Sequence, residues 1–310
     1  MQLFHIVAEV IHLLVVAVAA AGPLVCIVIN AKQLNRKDAT EREALWAIGT
    51  RLGQHANRAL LLGSVMGLVV AAVIWSEEFH QRCHVVQDRF LFAGIEWIFS
   101  WVLLFFTHRW WKKRPDGVKS FLARSVVILL ATTNLLYHFP ILFMLINELP
   151  VSLVVELETA GSQLSRAQFY EYAFTNSMLA RWIHTVVSLL MIAVAYTAVI
   201  SLRYARDVSG LSRDVSVRIV NWTARTIVCL LFIQIGLGIL TVMTMSDIKS
   251  IMGGNVLVTA LFAGAMCLLL VQLQQWTSLM SRRIDPQAVA RAVTTLIALF
   301  SCMTAVSILN

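Results

Sequence analysis

Apolar residues run along this chain in near-continuous stretches of about twenty, separated by short clusters of charge. About twenty residues at 1.5 Å each span the ~30 Å hydrocarbon core of a bilayer. The pattern predicts eight transmembrane helices, at about 4–30, 55–76, 88–108, 121–147, 178–203, 218–245, 252–276 and 287–309. The first run lacks a preceding basic segment, is interrupted by Glu9 and His12, and has no clear cleavage site after it. It reads as a retained helix, not a secretory signal. The longest segment between helices, about 148–177, is acidic and amphipathic, with Glu148, Glu156, Glu158 and Glu171.

The basic residues alternate from loop to loop. Lys32, Arg36, Lys37, Arg42 and Arg51 follow the first helix, and Arg109, Lys112, Lys113, Arg114 and Lys119 follow the third. Arg203, Arg206 and Arg213 follow the fifth, and Arg282 and Arg283 the seventh. The intervening loops are nearly bare, holding Arg82, Arg166 and Lys249. By the positive-inside rule this places both termini outside. Composition narrows the class further. The chain is 59% hydrophobic and 14% charged, with a mean hydropathy of +0.76, whereas soluble proteins carry roughly 25% charged residues. A water-soluble enzyme, a nucleic-acid-binding domain and a disordered scaffold are excluded. The net charge of +8 belongs to the inward loops, and the expected partner is the lipid bilayer, not nucleic acid.

An ionisable side chain at bilayer depth costs about 2.5–3.5 kcal/mol on insertion scales, so each one is a candidate. They are Glu9, His12, Glu96, His138 and His184, with Arg181 and Arg225 nearer helix ends. His12, Glu96, His138 and His184 fall between about 9 and 15 Å from the outer ends of their helices. Four helices of alternating direction thus deliver polar groups to one outer-leaflet layer, as a bound cofactor would require. Heme is the first to consider, since imidazole and thioether are among its axial donors. His5, Glu9 and His12 share one helical face, where Glu9 could fix the His12 tautomer. The five cysteines include no C-x-x-C-H site for covalent heme and no disulfide framework. Phe79–His84 holds two His and a Cys without further nearby ligands and reads as a solvated loop, while Trp110–Arg114 reads as an interfacial anchor. Tyr137, Asn134 and Pro140 around His138 are expected to loosen the fourth helix and free backbone carbonyls, and Gln234, Gly236 and Gly238 to permit close helix approach.

Several segments resemble subunit I of the cytochrome bd quinol oxidases. ARWIHTV at 180–186 is similar to that family's R-F-x-H-T/M segment in the fifth helix, whose histidine ligates the low-spin heme b; the matching position is His184. FHIVAEVIHLLVVAVAAAGPL at 4–24 resembles the first helix, with His12 at the position of a histidine ligating a heme of the oxygen-reducing pair. FLFAGIEWIFSWVLLFF at 90–106 resembles F-G-x-P-L-A-I-E-G-x-x-A-F-F and matches Glu96 to its first glutamate. SIMGGNVLV at 250–258 resembles F-R-x-M-V-G, which makes Met252 the second axial ligand of the His184 heme.

The resemblance implies an all-α integral membrane protein of two four-helix bundles, 1–148 and 178–310, with an outer-face acidic loop at 149–177 between them. It implies one or two hemes b, held by His12, His184 and Met252, with Glu96 in the first bundle; His138 has no counterpart in the family and is a local addition at the same depth, and Arg181, one turn from His184, is the candidate to pair a propionate. A bacterial inner membrane with periplasmic termini, other subunits of a respiratory complex and a membrane quinone are the implied setting and partners. The departures are specific. The family's long quinol loop is reduced to about seven residues, Met245 to Ile251, and the G-R-Q-P-W segment, the ninth helix and the second glutamate (here Leu104) are missing. The expected function is therefore electron transfer by a b-type heme subunit, without the complete quinol:oxygen reaction. The alternative is a heme-free structural or assembly subunit whose polar residues pack helices. A synthase of the heme A type would need paired histidines in both halves, and no histidine follows His184.

Overall fold

The computed structural model describes residues 2–113, 117–207, 211–244, 255–280 and 285–309. Among them every regular element is helical, and eight helices are long and apolar enough to cross a membrane. The first span joins α1 (Gln2–Val16), a π turn (Ala17–Ala21) and α2 (Gly22–Leu34). The π turn stands directly before Pro23, which has no N–H to return to the preceding turn. The other spans are α3 (Ala39–Ile74), α5 (Gln87–Trp111), α6 (Val118–Glu148), α9 (Asn176–Asp207), α10 (Leu211–Thr244), α11 (Val256–Ser278) and α12 (Pro286–Leu309).

The second span begins well before the apolar run at 55–76. Asp38 caps its start by accepting from the Thr40 N–H at 2.9 Å. Residues 39–54, with Arg42 and Arg51, are thus helix and not loop. Ala44, Leu45, Ile48, Gly49 and Leu52 form its buried stripe, at the spacing of a helix face turned to a core.

The first four spans pack in pairs, α1–α2 on α3 and α5 on α6, closed by α3–α5 and α2–α6 contacts. The last four repeat the scheme, α9 on α10 and α11 on α12, closed by α10–α11 and α9–α12. The two four-helix groups share one continuous core, because α9 also packs on the π turn, α2, α3 and α6.

One end of the assembly is capped and the other is basic. At the capped end the segments expected to be loops are partly helical: α4 (Glu77–His84), α7 (Val151–Thr159) and α8 (Arg166–Ala173). Ser76 caps α4 through the Phe79 N–H, and Ser165 with Gln168 forms a capping box on α8. These short helices cover a second apolar cluster containing Val85, Leu145, Ile146, Leu149, Leu157 and Met178, with Phe79 and Cys83 packed against it. Burial there pushes the Cys83 thiol up from its ordinary range. Arg82 donates to the Ile146 and Leu149 carbonyls, both at 2.8 Å, satisfying acceptors that the end of α6 leaves open. His84 Nδ1 meets Glu158 Oε1 at 2.7 Å, tying α4 to α7.

Trp111 departs from the expected interfacial position. It is 2% exposed, and Arg124, which donates to the Lys113 carbonyl, stacks over both Trp110 and Trp111.

Candidate functional site

His184 lies on α9 opposite α10. A Cβ on Gly238 would stand 3.6 Å from its Cε1, so that glycine leaves room for the ring. Gln234, one turn earlier on α10, donates from Nε2 to the His184 carbonyl at 3.1 Å and also to Ser188 Oγ. Ser188 in turn donates back to the His184 carbonyl at 3.0 Å. The backbone beneath the imidazole is therefore fixed from two helices. His184 Nδ1 is buried and makes no hydrogen bond. An unpaired buried polar atom costs about 1–3 kcal/mol, and such exceptions call for a specific explanation. Of the residues expected to permit close helix approach, Gly238 faces the His184 ring and Gln234 braces its backbone, while Gly236 faces open space.

His12 is held differently. Its Nδ1 contacts the Gly63 carbonyl at 2.9 Å. A carbonyl can only accept, so Nδ1 carries the proton and, in the neutral ring, Nε2 keeps the lone pair. A Cβ on Gly67 would lie 3.0 Å from His12 Cε1. Gly67 thus leaves room on α3 for the imidazole, while Gly63 supplies the carbonyl and admits Val15 and Val16 beside it. The tautomer is set by Gly63, not by Glu9. This is the arrangement that metal-ligating histidines commonly use, with one nitrogen fixed by a backbone oxygen.

Glu96 and His138 form a pair of their own, with Oε2 and Nδ1 2.5 Å apart between α5 and α6. Asn134 reinforces it, donating to the Glu96 carbonyl and to Ser100 Oγ, both at 2.9 Å. His138, Asn134 and Tyr137 line an open groove of about 350 Å³ along α6. Of the four residues expected at one depth, the structure brings together Glu96 and His138, while His12 docks on α3 and His184 faces α10.

The expected loosening at Pro140 has a definite form. Proline cannot donate to the carbonyl four residues back, that of Leu136. Trp182 Nε1 on α9 takes this acceptor at 2.8 Å, and its ring meets Tyr137 edge-on. The residue two positions before His184 is thereby anchored to α6. Arg181 is engaged by Glu148 in an ion pair at the capped end, which occupies it otherwise than with a propionate. Met252 lies outside the described residues.

Sequence reasoning passed over His55, whose Nδ1 meets the Tyr196 hydroxyl at 2.8 Å between α3 and α9. It sits at the boundary of an apolar run, and its partner is remote in sequence, so local pattern carried no signal. Among the described residues no three His, Cys, Asp or Glu side chains gather as metal donors. All five cysteines are free. No protein-family model matches the chain, and a search of curated proteins finds no match.

Proposed function

We propose that this chain is a b-type heme-binding electron-transfer subunit of a membrane complex, with one or two hemes toward the capped end. The observation that carries the reading is the His184 imidazole between α9 and α10, where Gly238 leaves room beside Cε1 and Gln234 and Ser188 fix the backbone beneath the ring. His12 adds a second donor whose tautomer is already fixed for coordination through Nε2. A bound heme supplies one-electron chemistry at its iron, with the protein contributing ligands, orientation and dielectric. His184 would hold it from α9, while Gln234 and Ser188 keep the α9 backbone in place.

The remaining assignments are weighed by the same test. Met252 is the second ligand by resemblance alone. Glu96 and His138 lie within ion-pair distance of each other, as do Arg181 and Glu148, and such pairs also suit a helix-packing role. It is also what the heme-free assembly reading would require of the whole chain. The proposal includes both termini facing the periplasm of a bacterial inner membrane and the basic end facing the cytoplasm, from the loop charges. It also includes electron exchange with other subunits or a membrane quinone.

The test is heme content in variants of the purified chain. His184→Ala should abolish one heme, and His12→Ala should remove a different one or none while leaving the His184-bound heme in place. Heme retained at full stoichiometry in the His184→Ala, His12→Ala double variant contradicts the reading.

A further inference from the structure

The hydrogen bond between His55 and Tyr196 joins α3 to α9 toward the basic end, and the heme reading does not use it. From Met191 to Ser201 every residue of α9 is buried except Tyr196 and Val199. With Arg203, which is exposed, these two form one line along the helix at i, i+3 and i+7. On α3 the matching line is Arg51, His55, Arg58 and Leu62, the last 54% exposed. The seam between the two helices is therefore reachable from the bilayer at this level.

Positive charge gathers there. Arg51, Arg58 and Arg203 stand close enough for their charges to act on His55, and Arg203 acts on Tyr196 as well. The Arg51 guanidinium lies 4.9 Å over the Tyr204 ring, on which the Glu43 charge also acts. Arg36 and Arg218 both meet Glu41 at this end, whereas among the described residues Arg58 and Arg203 stand in no ion pair. Arg58 leaves its helix about 4.5 Å beyond His55, and Arg203 leaves its own about 10 Å beyond Tyr196 in the opposite direction. Helical side chains lean toward the N-terminus. Since α3 begins at the basic end and α9 finishes there, Arg58 leans toward that end and Arg203 away from it, and the two reach toward one level.

Guanidinium groups pair with phosphate oxygens through charge-assisted, often bidentate hydrogen bonds. The His55–Tyr196 pair can add another. A neutral imidazole and a phenol carry one N–H and one O–H, and their mutual bond uses one of these, so in either tautomer the other is left to donate. Position selects the source of the phosphate. The seam lies where the apolar run of α3 begins and that of α9 ends, which is headgroup level, and Leu62 offers an apolar wall deeper in the membrane. Basic pockets between transmembrane helices at this level suit anionic headgroups. We infer that the seam between α3 and α9 binds the phosphate of an anionic phospholipid, held by Arg58 and Arg203 with a hydrogen bond from His55 or Tyr196. The inference is independent of heme binding.

The test is native mass spectrometry of the full chain equilibrated with equal amounts of phosphatidylglycerol and phosphatidylcholine. The wild type should retain phosphatidylglycerol in preference. At about fivefold per arginine, the Arg58→Gln, Arg203→Gln double variant should hold it about 25-fold more weakly. Arg109→Gln, Lys112→Gln removes as much charge from the same end and should leave retention unchanged. Inorganic phosphate, which has no acyl chains, should not displace the lipid. Equal retention of the two lipids by the wild type, an equal loss in both double variants, or displacement by inorganic phosphate overturns the inference. The first and last of these need no variant to fold.

Discussion

Replacing Trp182 by Phe isolates one hydrogen bond between the two helix groups. Phenylalanine keeps a ring against Tyr137 but removes the indole N–H that donates to the Leu136 carbonyl at 2.8 Å. That carbonyl has no helical donor, because residue 140 is proline, and Leu136 is buried among apolar neighbours. Leaving it unpaired should cost about 1–3 kcal/mol. At roughly 2–4 °C per kcal/mol for chains somewhat smaller than this one, the thermal midpoint should fall by several degrees. A thiol-reactive dye provides the assay, since Cys26 is buried and free and becomes reactive on unfolding. The decisive comparison uses Pro140→Ala, which restores an N–H able to reach Leu136. In that background Trp182→Phe should cost under about 0.5 kcal/mol, giving a coupling of about 1–2 kcal/mol between residues that act on one acceptor. An equal loss in both backgrounds, or no loss in either, would refute the argument that Trp182 replaces the donor proline lacks.

Other expectations follow from particular contacts. Gly49→Ala places a Cβ 2.6 Å from the Asn30 amide, itself bonded to Cys26 Sγ; overpacking of this kind should cost about 1–3 kcal/mol by the same unfolding assay. Cys83 has a raised folded-state thiol pKa from burial, so its alkylation in the folded chain should increase with pH through a midpoint above that of the unfolded chain. The sign is set by desolvation, which favours the neutral thiol, and a midpoint at or below the unfolded value would contradict it. For topology, Glu77→Cys on α4 should be labelled by an impermeant maleimide from outside intact cells, and Lys112→Cys only after the membrane is opened. The reverse pattern would invert the proposed orientation.

All eight spans were legible because each carries a bilayer-length apolar run. The start of α3 was not, since Glu41, Arg42, Glu43 and Arg51 lower its hydropathy although Ala44, Leu45, Ile48 and Leu52 already mark a buried stripe. At the site, pairing was not legible. Rise along a helix places His12 and Glu96 in one layer, but rotation about the axis decides which neighbour each meets. The space at Gly67 and the Gly63 carbonyl hold His12 on α3, and Glu96 turns to His138. Trp111 misled for a related reason. Its place among basic residues suggested an interface, yet the helix face it occupies looks inward. The acceptor left by Pro140 was readable from one residue, whereas its donor, Trp182, needed the packing of α6 on α9.

The central claim is tested most directly by the reduced-minus-oxidised visible spectrum of the purified full-length chain, beside the same preparation of His184→Ala. The account predicts b-type heme bands in the wild-type protein and loss of the His184-dependent component in the folded variant. A wild-type protein that is correctly folded, was expressed with heme supplied, and shows no heme absorption would contradict it.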